Sequence, residues 1–141
     1  NKEAVKNLNL NLKKRNYFQP LAPLLLFEDF EKYFSINKNI VKNLNWMGTL
    51  CDAKEKLYDK YSAIIHVDGT CRTQIIEDKN SLTYKILENL KTKGSEILVN
   101  TSFNISKDPV VFDLFDVYTN MKRMNINFVI MDDGLYQTKD L

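Results

Sequence analysis

The chain has 141 residues, of which 44% are hydrophobic and 11% aromatic, a composition typical of a folded protein rather than a disordered segment. The formal net charge of +2, with acidic and basic residues interspersed, disfavours a strongly basic nucleic-acid binder. Two cysteines are too few for a disulfide framework, and no apolar run is long enough to span a membrane. We therefore expect a cytoplasmic protein with reduced thiols and no membrane partner. Because it opens at Asn1 without an initiator Met, we also expect a fragment of a longer protein.

The first half of the chain predicts strands and helices in alternation. Helical spacing of apolar residues predicts a helix over residues 2–12, which leads into the basic cluster Lys13-Lys14-Arg15. Buried strands are expected over 24–27 and 45–50, and helices over 28–34 and after Asp52. Two further strands, 63–67 and 73–76, are predicted to form a hairpin-like connection around Asp68-Gly69-Thr70.

The second half contains the clearest helix signal. Ser81 is a good N-cap, an apolar stripe follows it, and Gly94 provides the stop. A buried strand is expected over 97–99, a helix from Asp113 onward, and two strands over 128–131 and 135–136. The order β-α-β-β-β-α-β-α-β-β predicts a mixed α/β (α+β) fold, with one domain over residues 1–141.

Polar side chains follow two of the predicted strands. One cluster is His66-Val-Asp68-Gly69-Thr70-Cys-Arg72-Thr-Gln74, and the other is Asn100-Thr101-Ser102-Phe103-Asn104. With the N-terminal basic cluster they supply hydroxyls, carboxamides and cations, without paired carboxylates or a Cys/His couple. This donor set favours binding of an oxyanion or phosphate over a hydrolase triad. Arg72 can hold a phosphate through two parallel N–H bonds, and Asn100 and Asn104 match an amide-like group.

Each of these residues also has an ordinary structural interpretation. A strand arginine such as Arg72 commonly lies across a neighbouring strand with its charged end in solvent. Asn100, Ser102 and Asn104 are residue types that form side-chain turns at strand ends. The basic run from Lys13 is equally typical of a solvated face.

Three segments in order carry a resemblance to a known family. They are Lys13-Lys14-Arg15-Asn16-Tyr17-Phe18-Gln19-Pro20-Leu-Ala-Pro23, then the His66 cluster, then the Asn100 cluster with Pro109-Val-Val. Together they resemble the C-terminal, YrdC-like domain of the nodulation-type and antibiotic-tailoring O-carbamoyltransferases. The resemblance implies a YrdC-like sheet packed with helices, which binds carbamoyl phosphate and ATP and forms carbamoyl-adenylate. An actin-like N-terminal partner domain would then pass the carbamoyl group to a hydroxyl acceptor.

The resemblance also implies roles for individual residues. Lys13, Arg72 and Ser102 are expected to be catalytic because they would neutralise phosphate oxygens. The substrate-binding positions are Gln19, Asn100, Thr101, Asn104, Lys14 and Arg15. Gln19 departs from the arginine that the family has there, and Asn16 departs from its glutamate. Losing a charged donor costs about 1.5–3 kcal/mol of binding free energy, which Lys14 or Arg15 would partly offset.

The sequence leaves the metal and two other functions open. Magnesium would accompany ATP, but Asp68 is the nearest acidic candidate and a turn-forming role fits it better. The alternatives are a phosphate-binding module without catalysis, and a YrdC-like domain that binds RNA. We also predict that Arg72 and Ser102 converge on one cavity, because a strand, a crossover helix and a buried strand return the chain to the same sheet.

Overall fold

The computed structural model describes residues 2–139, which divide into two compact units. The central unit contains Pro20–Thr101, and the terminal unit contains Glu3–Gln19 together with residues 102–139. The mixed α/β class predicted from the sequence is confirmed. The helices within the described part of the chain are too short or too polar to cross a membrane.

The central unit is built on two small sheets. Its strands are β1 (Ala22–Leu26), β2 (Phe34–Ser35), β3 (Cys51–Ala53), β4 (Thr70–Cys71), β5 (Gln74–Ile76) and β6 (Leu98–Asn100). Its helices are α2 (Phe27–Tyr33), α3 (Glu55–Tyr61) and α4 (Leu82–Thr92), with 3-10 segments at Lys38–Trp46 and Ser62–Ile64. Strand β1 lies between β5, to which it is parallel, and β6, to which it is antiparallel. The antiparallel order β2-β3-β4 forms the second sheet.

The apolar run that predicts β1 explains its central place in the first sheet. Leu25 and Leu26 are almost completely buried, as expected for a strand with neighbours on both edges. Leu25 packs in a core cluster with Phe30, Phe34 and Leu57, so β1 also anchors the following helix. The core of this unit therefore follows directly from the sequence between residues 21 and 34.

Two strand predictions in the central unit are wrong. Residues 38–46 form a 3-10 helix that ends at Met47 with a φ of +53°, so the strand expected over 45–50 begins only at Cys51. The predicted hairpin of 63–67 with 73–76 is replaced by a tight turn, in which the N–H of His66 donates to the Thr70 carbonyl at 2.8 Å. Strands β4 and β5, although adjacent in sequence, pair with β3 and β1, which belong to different sheets.

The helix caps were predicted with mixed success. Ser81 caps α4, since its hydroxyl accepts the Tyr84 N–H at 3.2 Å, and Gly94 follows that helix with a φ of +79°. Asp113 caps the helix Leu114–Arg123 by accepting the Asp116 N–H at 2.9 Å. Asp52 is not a cap: it lies in β3 opposite Thr70, and α3 begins three residues later.

The terminal unit combines the two ends of the described chain. Helix α1 (Lys2–Asn7) continues into a π-helical segment at Leu8–Leu12, and α5 spans Leu114–Arg123. Strands β7 (Phe128–Met131) and β8 (Gly134–Gln137) form the predicted hairpin. The core of this unit includes Met121 of α5 and Met124 directly after it, whereas Phe112, just before that helix, is 95% exposed.

The two cysteines face each other across β3 and β4. Cys51 and Cys71 are register partners, and both are buried free thiols. Burial and then the neighbouring Cys51 raise the pKa of Cys71 to about 12. A thiol with so high a pKa stays protonated at neutral pH, so this pair contributes packing rather than a nucleophile.

Candidate functional site

Lys13 occupies a buried position at the end of the π-helical segment. It is only 2% exposed, and its N–H donates to the Leu8 carbonyl at 2.8 Å, which closes the last turn. Its ammonium donates to the Asn104 carbonyl at 2.5 Å, to Asn104 Oδ1 at 3.0 Å and to Ser102 Oγ at 3.3 Å. The Ser102 carbonyl is a further acceptor. The first and third predicted polar segments are therefore in direct contact within the terminal unit.

The loop that receives Lys13 is fixed by its own hydrogen bonds. Ser102 Oγ donates to Asn104 Oδ1 at 2.5 Å, and Asn104 Nδ2 donates to the Asp108 carbonyl at 2.6 Å. The Ser106 N–H donates to the Lys13 carbonyl at 2.8 Å. These bonds join side chains to each other and to the Asp108 carbonyl, and the loop that they fix presents its oxygens to a lysine. Ser102 itself is exposed, which leaves its hydroxyl accessible to a ligand.

The electrostatics of this cluster are unusual because its positive charge has no acidic partner. Burial, and after it the charge of Arg15, lowers the pKa of Lys13 below its ordinary value. Burial likewise lowers the pKa of Arg15. No carboxylate among residues 2–139 forms an ion pair with either side chain. Two cations held only by neutral oxygens attract an anion to this place.

Asn9 organises the segment that carries Arg15 and Gln19. It is fully buried, at 0% exposure, and its Oδ1 accepts the Arg15 Nε–H at 2.8 Å. Its Nδ2 donates to the carbonyls of Tyr17 at 3.0 Å and Gln19 at 2.8 Å. The Asn9 carbonyl accepts the Arg15 main-chain N–H at 2.9 Å. One side chain therefore ties together three positions of a segment without regular structure.

Sequence reasoning missed Asn9, although a signal for it exists. Asn9 lies four residues before Lys13, between two leucines in a segment of helical periodicity. That spacing places it on the helical face of Lys13. A carboxamide on the same face as a functional lysine is a candidate for burial with a specific set of partners.

Gln19 occupies the position at which the family resemblance expects arginine. Its N–H donates to the Asn16 carbonyl at 3.2 Å, but its Oε1 is buried with no hydrogen-bond partner in the described part of the chain. A buried amide oxygen without a donor costs about 1–3 kcal/mol of stability. The buried Oε1 of Gln19 therefore lowers the stability of the terminal unit.

Arg72, Asn100 and Thr101 belong to the central unit. Arg72 is exposed between β4 and β5, and within residues 2–139 its guanidinium has no hydrogen-bond or ion-pair partner. Asn100 Nδ2 donates to Gln74 Oε1 at 2.5 Å, so its carboxamide links β6 to β5 across β1. Thr101 is half-buried. That these residues share one cavity with Ser102 remains a prediction.

Lys14 and Asp68 have conformational roles. Lys14 is exposed and has a φ of +51°, in the left-handed region where the chain reverses after Lys13. Asp68 Oδ1 accepts the Thr70 N–H at 3.0 Å and its hydroxyl at 2.8 Å, and these bonds lower the pKa of Asp68. Residues 2–139 contain no group of three or more His, Cys, Asp or Glu side chains placed to hold a metal ion.

The chain is a mixed α/β protein in which Lys13 and Arg15 lie among neutral oxygens without a carboxylate partner in the described residues. The family whose model is described as "Carbamoyltransferase C-terminus" matches residues 1–138, and the chain belongs to this family. The predicted resemblance to the C-terminal domain of these enzymes is thereby confirmed.

Several curated relatives share this region. Nodulation protein NolO of Bradyrhizobium diazoefficiens is 30% identical over 94% of this chain and 24% of its own length. The 3'-hydroxymethylcephem-O-carbamoyltransferase of Amycolatopsis lactamdurans is 26% identical over 95% of this chain and 25% of its own length. An uncharacterized protein of Methanocaldococcus jannaschii is 31% identical over 94% of this chain and 21% of its own length. The chain thus spans about a fifth to a quarter of these relatives.

Proposed function

We propose that this chain binds the carbamoyl donor of a carbamoyltransferase, with carbamoyl phosphate as the ligand and Lys13 as the phosphate anchor. The observation that carries the proposal is the buried Lys13 ammonium, which contacts only uncharged oxygens and lies near Arg15. Burying a cation without a counter-ion is costly, and a bound phosphate supplies the missing opposite charge. The family supplies the carbamoyl group, since one relative is named as an O-carbamoyltransferase.

The proposed roles follow the chemistry of each donor. Lys13 and Arg15 neutralise the phosphate, and the Ser102 hydroxyl, which donates to Asn104 Oδ1 in this structure, turns its hydrogen to the phosphate when the ligand binds. Asn104 keeps the lysine in place through its two oxygens. From the family resemblance we assign Arg72 to the phosphate and Asn100 to the carbamoyl group, whose C=O and NH₂ a carboxamide matches.

The proposed reaction uses ATP as the second substrate. Water takes up the carbamoyl group as carbamate while phosphate leaves, and a carbamate oxygen then attacks the α-phosphorus of ATP. The products are carbamoyl-adenylate and pyrophosphate. The cations lower the barrier because they stabilise negative charge on the departing phosphate. Transfer to a hydroxyl acceptor is assigned to the actin-like N-terminal partner domain that the resemblance implies.

We assign magnesium to the phosphates of ATP rather than to a site formed by protein side chains. Asp68 Oδ1 already accepts two hydrogen bonds from Thr70, and the described residues offer no cluster of acidic ligands. Magnesium in nucleotide sites is commonly bound through the phosphates of the substrate. We therefore derive no step of the reaction from a metal held by these residues.

Isothermal titration calorimetry of the intact protein tests the binding proposal. We expect heat on titration with carbamoyl phosphate, and competition by inorganic phosphate. If carbamoyl phosphate, phosphate, pyrophosphate and ATP all give no heat, while a homologue with arginine at the position of Gln19 binds them, the proposal is wrong for this chain. Pyrophosphate release that requires both ATP and carbamoyl phosphate tests the adenylate step separately.

A further inference from the structure

We propose that Asn9 is a positioning residue of the donor site, which holds Arg15 so that the outer nitrogens of its guanidinium face the ligand phosphate. The inference rests on the proposed function for the identity of the ligand. Asn9 has no role in the chemistry itself, because its side chain is fully buried and its polar atoms are bonded to the chain.

Asn9 binds Arg15 at the Nε of its guanidinium. Asn9 Oδ1 accepts only the Nε–H, and among residues 2–139 neither Nη of Arg15 has a protein partner. An arginine that binds phosphate bidentately uses parallel N–H groups and needs its plane fixed beforehand. Asn9 fixes that plane at Nε and leaves the terminal nitrogens available.

The second step concerns the segment around Arg15. Asn9 Nδ2 donates to the carbonyls of Tyr17 and Gln19, so the same side chain fixes the backbone that follows Arg15. Because residues 13–19 contain no regular hydrogen-bonded element, these bonds replace the order that a helix or strand would provide. Preorganisation of this kind increases affinity by removing the entropic cost of ordering the site on binding.

The third step is specific to this chain. Gln19 lacks the charged fork that an arginine would supply at its position, and Arg15 carries one nearby in sequence. With Asn9 holding it, Arg15 provides the charge-assisted contact that Gln19 does not. An asparagine suits the task because its carboxamide accepts one bond and donates two, whereas aspartate accepts only and alanine does neither.

The test compares Asn9→Ala and Asn9→Asp with Asn120→Ala in the intact protein. Asn120 is a matched control, because it is also buried in the terminal unit, at 7% exposure, and donates to the Asp116 carbonyl at 3.0 Å. Calorimetry gives the affinity for carbamoyl phosphate and inorganic phosphate, and thermal melting gives stability. NMR reports whether the Arg15 Nε–H is protected from exchange with water.

We expect Asn9→Ala to weaken both ligands by about tenfold and to abolish protection of the Arg15 Nε–H. Asn120→Ala leaves affinity and protection unchanged. Asn9→Asp keeps the protected Nε–H, because a carboxylate still accepts it, but weakens the ligands, because its charge repels phosphate. If Asn9→Ala does not fold, the combination of a protected Arg15 Nε–H and weaker ligand binding in Asn9→Asp shows whether Asn9 positions Arg15.

Three results would overturn the inference. They are a protected Arg15 Nε–H in Asn9→Ala, its loss in Asn9→Asp, and an affinity loss in Asn120→Ala equal to that in Asn9→Ala. If the unaltered protein binds neither ligand, the proposed function fails. The Arg15 Nε–H still decides whether Asn9 positions this arginine, since that signal needs no ligand.

Discussion

Two partly exposed lysines of the central unit and the buried Lys13 of the terminal unit have opposite kinds of partner. In the central unit Lys32 pairs with Glu96, and Lys91 contacts both carboxylate oxygens of Asp29 at 2.7 Å. In the terminal unit Lys13 contacts neutral oxygens only. The pKa shifts differ accordingly: the hydrogen bond with Glu96 raises the pKa of Lys32, whereas burial lowers that of Lys13. The carboxylate partner favours the charged form of Lys32, whereas Lys13 has no such partner, which is the basis of the proposed anion site.

The largest expected effect is on ligand binding when the unpaired lysine loses its charge. Lys13→Met should weaken the binding of carbamoyl phosphate by about a hundredfold or more, because the buried positive charge that attracts the phosphate is lost. Stability should change little, because the removal of an uncompensated buried charge offsets the loss of the bonds to the Ser102 and Asn104 oxygens. Calorimetry and thermal melting measure both.

Lys32→Met is the matched control in the central unit. It should leave the affinity unchanged and lower the free energy of unfolding by about 1 kcal/mol, because Glu96 loses its charged partner and keeps only the Tyr33 hydroxyl. Equal effects of the two substitutions on carbamoyl phosphate binding would remove the distinction between paired and unpaired lysines.

Gln19→Arg should strengthen ligand binding because it adds a positive charge to the terminal unit. We expect carbamoyl phosphate to bind about tenfold to a hundredfold more tightly, because a charge-assisted donor is restored and a buried oxygen without a partner is removed. Calorimetry gives the affinity, with Gln19→Met as the control that removes the amide without adding charge. Tightening by both variants would show that charge is not the cause, and no change in either would mean that Arg15 already fills this role.

The third prediction concerns alkaline pH, where the two units should respond in opposite directions. Burial and then Glu96 raise the pKa of Tyr33 to about 12 from its ordinary 10.0. The native state therefore holds the Tyr33 proton after the unfolded chain has lost it, and the stability that this provides disappears between pH 10 and 12. Tyr33→Phe should reduce that loss by roughly 1–2 kcal/mol in denaturant titrations at increasing pH.

Lys13 changes the stability with pH in the direction opposite to Tyr33. Its native pKa is lowered, so the unfolded chain binds the proton more strongly, and stability rises with pH until about the ordinary value of 10.5. Lys13→Met should remove this rise while leaving the alkaline loss from Tyr33 in place. A stability profile that Lys13→Met leaves unchanged would contradict the unpaired character of this lysine.

The smallest expected effect is at the neutral donor of the site. Ser102→Ala should weaken carbamoyl phosphate by about two- to fivefold, since it removes one uncharged hydroxyl. Ser106→Ala is the control, because the bond of Ser106 to Lys13 uses the main-chain N–H, which alanine retains. Calorimetry under the same conditions distinguishes the two, and a loss of more than about a hundredfold for Ser102→Ala would give this hydroxyl a greater role.

Local signals in the sequence determined much of this protein. The caps at Ser81 and Asp113, the glycine stop at Gly94 and the hairpin over residues 128–137 were predictable, because each depends on residues only a few positions apart. The motifs also gave the family and the candidate site residues, among which Lys13, Ser102 and Asn104 lie in contact.

The tertiary structure decided what long-range pairing and burial control. The sequence could not show that β4 joins β3 rather than β5, because strand pairing is fixed by which partners bury the common core. Nor could it show that Lys13 would be buried without a carboxylate or that Asn9 would hold Arg15. A side chain's charge partners are set by the folded chain around it, and neither spacing nor composition encodes that environment directly.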